Sequence, residues 1–273
     1  MRTVQHRTWL TVVGAIVLLA IYALPLYWLV TTSFKKLDDV FVGTAGFLFT
    51  PTVQAYVDVW NSGFAQSALN SIIIAVSATV LVLVIGVPSA YGLARVNGWI
   101  VNLSLALLIV LQMVPATSTL IPLYSLLASW QLTGNLFGVA LAIAAGTLPF
   151  SVLLLRPFFT SVPIAIEEAA SLDGAGMLRR FFEVVLPITR NGIATVGTLA
   201  FIGAWGEFLY AITFLTDPQQ YPVSALLAQQ MSSYGANWPG LMAVSVLVSV
   251  PTVLIFLFGQ KLLVGGITMG SVR

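Results

Sequence analysis

The residues best suited to polar chemistry lie in one segment, between Arg156 and Arg190. This segment is the only polar island of any size in an otherwise apolar chain. It combines four carboxylates with four guanidinium groups: Glu167, Glu168, Asp173 and Glu183, with Arg156, Arg179, Arg180 and Arg190. Mixed charge favours specific docking, because charged groups set orientation and partner choice more than affinity. We therefore expect the segment to face a soluble partner.

Catalytic chemistry has little support elsewhere in the sequence. No phosphate-binding G-x-x-x-x-G-K-[ST] loop is present, so the chain is not expected to hydrolyse ATP. The single histidine, His6, precedes the first apolar run, and no paired aspartates occur within the apolar runs. The chain has no cysteine and no cluster of metal ligands. We predict a protein that is not an enzyme and that has no cofactor or metal of its own.

Glu207 is the one acidic residue within a predicted membrane span, and ionisable groups at such depth normally face a bundle interior or an aqueous path. One hypothesis places Glu207, with Trp205 and Tyr210, near a translocation path in the outer half of the fifth helix. The alternative is a protonated or hydrogen-bonded carboxyl that fixes helix packing. Asn70 and Gln112 are weaker path candidates, for which interhelical hydrogen bonding is the favoured role.

The elements that must position these residues are membrane helices. Hydrophobic residues form 59% of the chain and charged residues 7%, which excludes an ordinary soluble domain. Continuous apolar runs, rather than alternating ones, favour helices over a barrel. We predict an all-α polytopic protein, one transmembrane domain over residues 1–273, in which Pro115 and Pro122 kink the third span. The spans are about 9–32, 67–94, 99–124, 136–155, 191–215 and 240–262, each near the ~20 residues needed to cross a bilayer.

The distribution of basic residues indicates the orientation. Six spans place both termini on one side, and the positive-inside rule identifies that side. It receives nine of the eleven basic residues, whereas the other side receives Lys35 and Lys36. We therefore predict cytoplasmic termini, a cytoplasmic 156–190 segment, and external segments at 34–66 and 217–239. The first run is too long for the ~7–15-residue apolar core of a signal peptide.

Within the polar segment, the sequence predicts helix, break and helix. Ser161 is the predicted N-cap, and Pro163 suits the first turn. Asp173-Gly174 is expected to break the first helix, because glycine adopts the left-handed backbone of a helix end. Leu186-Pro187 is expected to close the second, since proline cannot continue the hydrogen-bond ladder. The apolar face of the second helix would contain Met177, Leu178, Phe181, Phe182 and Val185.

One gapped pattern in this segment consists of Glu168-Ala169-Ala170, three residues, Gly174, nine residues, Val184, one residue and Leu186-Pro187. It resembles the EAA loop of ATP-binding-cassette (ABC) importer permeases. In that pattern Val184 replaces isoleucine. The resemblance implies the type I importer permease (MetI-like) fold and a coupling helix that docks on a cytoplasmic ATPase. It assigns this coupling role to Glu167, Glu168, Ala169, Ala170, Leu172, Asp173, Gly174, Ala175, Leu186 and Pro187. The alternative is an amphipathic loop on the lipid surface, against which the small residues argue.

Further stretches extend the resemblance to carbohydrate-type permeases. They are Asn70-Ser71, the AYGLAR run 90–95, the WGEF run 205–208 and the glycine-rich stretch 259–270. They resemble the smaller, six-helix, maltose-type permease of the cytoplasmic membrane of a prokaryote. The implied partners are a second, different permease, two ATPase subunits that carry ATP and Mg²⁺, and an extracytoplasmic binding protein. The implied solute is a sugar or a sugar-like molecule.

The external segment 217–239 carries amide and aromatic groups that suit a binding-protein contact or an ordinary interfacial loop. These groups belong to Gln219, Gln220, Tyr221, Gln229, Gln230, Tyr234, Asn237 and Trp238. Two other functions remain open at this point. An ion-coupled secondary transporter, with Glu207 as the coupling site, predicts transport by the chain alone and inverted repeats, which the sequence lacks. A scaffold subunit predicts no effect of substitutions along the path.

Overall fold

A computed structural model describes residues 2–41, 49–232 and 235–269 of the chain. Tyr234 and the closing residues from Gly270 to Arg273, which contribute to the sequence patterns above, lie outside the described residues. The helices are α1 Arg2–Ser33, α2 Gln54–Asn61, α3 Phe64–Arg95, α4 Trp99–Gln112, α5 Ala116–Ser129, α6 Leu136–Thr160, α7 Ile164–Leu172, α8 Met177–Arg179, α9 Leu186–Trp205, α10 Leu209–Phe214, α11 Val223–Gln229 and α12 Trp238–Met269. A π-helical turn, Arg180–Val185, joins α8 to α9.

The predicted all-α fold class is confirmed. Over the described ranges, strand pairing is limited to two residues in each strand, β1 Met231–Ser232 and β2 Gly235–Ala236, which pair antiparallel. Among the residues that the structure describes, five helical stretches are long and apolar enough to cross a membrane: Thr11–Ser33, Phe64–Arg95, Leu136–Thr160, Met177–Trp205 and Trp238–Leu257. A sixth candidate is the pair α4 and α5, which is bent by 99° at its break. The pattern agrees with a polytopic helical membrane protein.

The third and fifth predicted spans differ from the observed helices. The stretch 99–124 is divided at Met113, Val114 and Pro115, because proline has no N–H to continue the ladder of α4. Pro122, by contrast, lies inside α5 without ending it. The fifth apolar stretch begins at Met177 and its helix ends at Trp205, whereas the prediction placed it over 191–215.

Contacts divide the described chain into two units. One comprises Met1–Phe64 with Leu226–Val250, and the other Ala65–Ala225 with Pro251–Arg273. In the first unit, the hydroxyl groups of Ser33 and Tyr56 lie 2.7 Å apart and join the end of α1 to α2. Most of α1 is exposed within the chain, and only Thr32 and Ser33 at its end are buried over the stretch Thr11–Ser33. The prediction of one transmembrane domain stays a prediction.

The second unit positions the polar segment. The Asn135 side chain accepts from the Phe137 N–H at 2.8 Å and thereby begins α6. A cluster of buried residues then joins α3, α6, the π-helical turn and α9: Val87, Ala90, Val152, Leu155, Phe159, Phe181, Val185 and Val196. Glycine permits one close approach, since a Cβ on Gly192 would collide with the ring of Phe158. Helix α7 begins five residues after Phe159, the member of this cluster that lies in the last turn of α6.

Candidate functional site

Helix α7 and the turn after it contain most of the predicted coupling residues. The helix ends at Asp173, and Gly174 has φ +85°, the left-handed conformation that glycine adopts without strain. The Ala175 N–H donates to the Ala170 carbonyl at 2.9 Å and closes the turn. The predicted break at Asp173-Gly174 is confirmed. The predicted N-cap at Ser161 is wrong, because Ser161 ends α6 and its hydroxyl donates to the Phe158 carbonyl at 2.8 Å.

Pro163, not Ser161, occupies the position before the first residue of α7. Its extended backbone, with φ −59° and ψ +133°, turns the chain between α6 and α7. The prediction that it lies within the first turn is therefore wrong by one residue. The link from α6 to α7 is short, which keeps the base of α7 against the buried cluster described above.

Glu167 is buried and Glu168, its neighbour, is exposed. One carboxylate oxygen of Glu167 accepts from the Tyr91 hydroxyl at 2.5 Å. The other accepts from the Arg95 guanidinium, with Nε at 2.6 Å and Nη2 at 2.5 Å. Two successive glutamates therefore have opposite environments: one joins α7 to α3, and the other is available to a partner.

Arg95 extends this contact to α6. Its Nη1 donates to the Phe159 carbonyl at 2.8 Å and its Nη2 to the Val162 carbonyl at 3.3 Å. These carbonyls belong to the last turn of α6 and the link after it, and the Phe159 carbonyl also accepts from the Val162 N–H at 3.2 Å. We call Tyr91, Arg95 and Glu167 the α3–α7 joint. It fixes the relative positions of the ends of α3 and α6 and the middle of α7.

The pairing within this joint was not predicted from the sequence. Tyr91 and Arg95 were singled out only through the AYGLAR resemblance, and Glu167 only as a coupling residue. A signal was present, because an arginine that ends an apolar helix and an early helical glutamate are complementary charges. Their separation of 72 residues, however, conceals the pairing from any local pattern.

The outer surface of α7 and the following turn combines apolar and small side chains with two carboxylates. Leu172 is 91% exposed, and Glu168, Ala169, Asp173 and Gly174 are also exposed, while Ala170 and Ala175 are half-buried. Large apolar residues next to this surface are exposed as well: Ile164, Ile166, Met177, Leu178 and Phe182. An exposed apolar surface that contains charged groups is typical of a protein interaction site. We call residues 168–175 of this surface the coupling face.

The second half of the EAA pattern lies in a continuous helical run. Leu186, half-buried, donates its N–H to the Phe181 carbonyl, five residues back, which makes Arg180–Val185 a π-helical turn. Pro187 is exposed and lies at the start of α9. The prediction that Leu186-Pro187 closes the helix is wrong, because the wider turn ahead of proline accommodates a residue without an N–H.

A second region lies around Glu207, in a cavity of about 520 Å³. Gln112, Thr119, Glu207 and Tyr210 supply polar groups to its lining. Oε1 of Glu207 accepts from the Tyr210 N–H at 3.1 Å, and the hydroxyls of Tyr210 and Thr119 lie 3.3 Å apart. Glu207 lies in the break between α9 and α10, not within a helix as predicted. The structure thus brings together three of the five path candidates.

The other two path candidates are not in the lining of this cavity. Trp205 is buried and its ring stacks on Phe201, with centroids 6.2 Å apart. Asn70 is also buried, and its amide donates to the carbonyls of Gln219 at 2.8 Å and Tyr221 at 3.3 Å. Asn70 therefore binds the loop that contains Gln219 and Tyr221 to α3. This contact agrees with the hydrogen-bonding role favoured for Asn70.

The chain matches a known protein family over most of its length. Residues 82–268 match the family model described as binding-protein-dependent transport system inner membrane component. The chain is 31% identical, over 96% of its length and 92% of the relative's, to the sulfoquinovosyl glycerol transport system permease protein SmoH of Agrobacterium fabrum. It is 30% identical, over 93% of its length and 85% of the relative's, to the diacetylchitobiose uptake system permease protein NgcG of Streptomyces coelicolor.

Among solved structures, the fold is similar to a chain from the crystal structure of a bacterial ABC transporter involved in the import of the acidic polysaccharide alginate. The TM-score is 0.81 at 22% identity, over 96% of this chain and 98% of the other. At this identity the likeness concerns the fold.

Proposed function

The chain belongs to the family of binding-protein-dependent transport system inner membrane components, and from this premise we propose that it transports a sugar or sugar-like solute. As a member, it is a multi-pass membrane permease subunit of an ABC importer, a transport component and not an enzyme. Two relatives support the solute class, since one is named for diacetylchitobiose and the other for sulfoquinovosyl glycerol. The ion-coupled alternative has no such support.

The family implies partners of two kinds, ATPase subunits and a solute-binding protein. We further propose that ATP and Mg²⁺ are held by a pair of cytoplasmic ATPase subunits and that a second, different permease completes the channel. Both termini and the coupling face would then lie in the cytoplasm, as the basic residues indicate.

The contrast between Glu167 and Glu168 is the observation that carries the coupling proposal. The coupling face, with exposed Leu172 and Glu168, docks on the ATPase subunit. Glu167, on the same helix, is held by Tyr91 and Arg95. A displacement of α7 is therefore transmitted to the end of α3 and, through the carbonyls that Arg95 binds, to the end of α6. Transport by alternating access requires such a link between the nucleotide state and two arrangements of the membrane helices.

The cavity around Glu207 is the proposed place where the solute passes this chain. Its volume of about 520 Å³ is within the ~300–1,000 Å³ of small-molecule sites. Carboxylate, amide and hydroxyl groups from Glu207, Gln112 and Thr119 suit a polyhydroxylated molecule, because each can pair with sugar hydroxyls.

Single-cysteine crosslinking tests the coupling proposal, and the absence of native cysteine makes the design direct. Ala169→Cys and Leu172→Cys, in the assembled importer, are expected to crosslink to the ATPase subunit with a short bifunctional reagent. Val53→Cys is the control, since Val53 is exposed in the segment predicted to lie outside. Crosslinks from Val53 and none from Ala169 would contradict both the docking and the orientation.

A further inference from the structure

An apolar groove of about 760 Å³ lies between α3 and the run from Met177 to Gly197, outside the region assigned to solute. The α3 wall includes Leu83, Val87 and Gly92, and the facing wall includes Phe182 and Ile193. Val84 and Phe182, which also line the groove, are 67% and 59% exposed. The groove therefore opens on the surface of the helices.

One cation lies in the described lining of this groove. Arg190 contributes to it, is exposed, and has no acidic partner within the described part of the chain. The only other polar side chain in that lining is that of Tyr91, whose hydroxyl donates to Glu167. The groove thus combines a hydrocarbon surface with a positive charge that these residues leave unpaired.

From these features we propose that the groove binds an anionic phospholipid, with an acyl chain along the apolar walls and the head group at Arg190. Basic pockets between membrane helices bind anionic head groups, and the charge complementarity here has that form. A sugar does not fit, because its hydroxyl groups would remain unpaired against these walls. A zwitterionic phospholipid also has a phosphate, but its head-group cation cancels that charge, so it is expected to bind at Arg190 more weakly than an anionic one.

The shape of the groove depends on small residues, which supplies a variant that fills it. A Cβ on Gly92 would have no atom within 4 Å, so a larger side chain there extends into open space. Gly92→Leu is expected to fold, since glycine is the poorer helix former by about 1 kcal/mol. Gly14 is the matched control, because a Cβ there would also meet no atom within 4 Å and because α1 contributes no residue to the lining.

The test uses the assembled importer in nanodiscs of phosphatidylcholine that contain a photoreactive phosphatidylglycerol or a photoreactive phosphatidylcholine with the same acyl chain. Peptide mapping is expected to show that the phosphatidylglycerol probe labels residues 83–92 and 177–197. Arg190→Gln is expected to lower this labelling about fivefold, the loss that corresponds to one cation near an anionic surface. Gly92→Leu is expected to abolish it.

Gly14→Leu and Arg179→Gln are expected to leave the labelling unchanged. Arg179 is a sharp control, because it is exposed on the same run but pairs with Glu183 at 2.8 Å and does not line the groove. Equal labelling by the two probes, or unchanged labelling in Arg190→Gln, would overturn the proposal. So would the absence of lipid labelling together with a crosslink from Phe182→Cys to the second permease.

Thermal unfolding curves identify any variant that fails to fold. If Gly92→Leu fails to fold, the comparison of Arg190→Gln, a surface substitution, with the unmodified protein is sufficient to test the proposal. Labelling is measured without solute or ATP. An error in the proposed solute or coupling mechanism would leave the labelling result intact.

Discussion

Half-buried Arg95 and buried Glu167 form an ion pair, with Nη2 and Oε1 2.5 Å apart, that joins the end of α3 to α7. Their side chains are 15% and 7% exposed. Buried pairs add little net stability when complete, but removal of one partner leaves an uncompensated charge. The pair is therefore a sensitive point for both stability and coupling.

Glu167→Gln is expected to lower the free energy of unfolding by about 1–3 kcal/mol, because the half-buried Arg95 would lose its counter-charge but keep its bonds to two backbone carbonyls. The measurement is the thermal unfolding midpoint of the purified permease in detergent. The double variant with Arg95→Gln is expected to recover part of this loss. Additive losses in the two single variants would show that the pair does not act as a unit.

Glu168→Gln is expected to leave the unfolding midpoint within the ~0.5 kcal/mol typical of surface substitutions, since Glu168 is exposed. Its effect should appear in retention of the ATPase subunit during affinity purification, which is expected to decrease. The pairing of the two adjacent variants separates folding from docking. A reversed pattern, with Glu168 decisive for folding, would refute the assignment.

Gly174→Ala is expected to cost about 1–2 kcal/mol, because an L-residue with a Cβ is strained at φ +85°. Space is not the cause, since a Cβ there would meet no atom within 4 Å. ATP-dependent uptake by the importer in membrane vesicles is expected to decrease as the turn after α7 changes. Gly176→Ala is the control, because Gly176 has φ −66° and equal space; equal losses in both would exclude backbone strain.

Glu207→Gln is expected to reduce solute uptake about tenfold while assembly remains normal, the effect of losing one charge-assisted hydrogen bond. The glutamine oxygen can still accept from the Tyr210 N–H, so the start of α10 is preserved. Radiolabelled uptake, with co-purification of the ATPase as the assembly check, is the measurement. Unchanged uptake would remove Glu207 from the path and leave its carboxyl a role in packing.

Asn70→Ala is expected to loosen the loop that contains Gln219 and Tyr221, because two backbone carbonyls lose their donor. The expected cost is about 1–3 kcal/mol, with a faster amide hydrogen exchange in residues 218–222. Gln66→Ala is the comparison, since the Gln66 amide donates to the Asn70 side chain at 3.0 Å rather than to the loop. Unaltered exchange in Asn70→Ala would contradict this anchoring role.

Several parts of the fold follow from local sequence properties. Apolar runs of sufficient length predict the membrane helices, because the bilayer imposes a length and internal hydrogen bonding. The break at Gly174 follows from the conformational freedom of glycine, which needs no knowledge of the surroundings. Features of this kind are set within a few residues and are therefore visible in the sequence.

Other features depend on contacts that no local pattern contains. A proline such as Pro187 is typical of a helix end, but the π-helical turn before it allows the helix to continue. Glu207 lies in an apolar stretch that is typical of a membrane span, but helix α9 ends two residues earlier, at Trp205. The partner of Glu167 lies 72 residues away, so the burial of one glutamate and the exposure of the next require the tertiary structure.

The separation of Arg95 from Glu167 also concerns the order of synthesis. Arg95 leaves the ribosome 72 residues before Glu167, and the carbonyl of Phe159 follows it by 64 residues. Until α4, α5 and α6 have been inserted, the guanidinium can be satisfied only by water or by lipid head groups. Closure of the joint is thus a late event in membrane integration, and an early truncation of the nascent chain would leave α3 with a solvated, unpaired terminus.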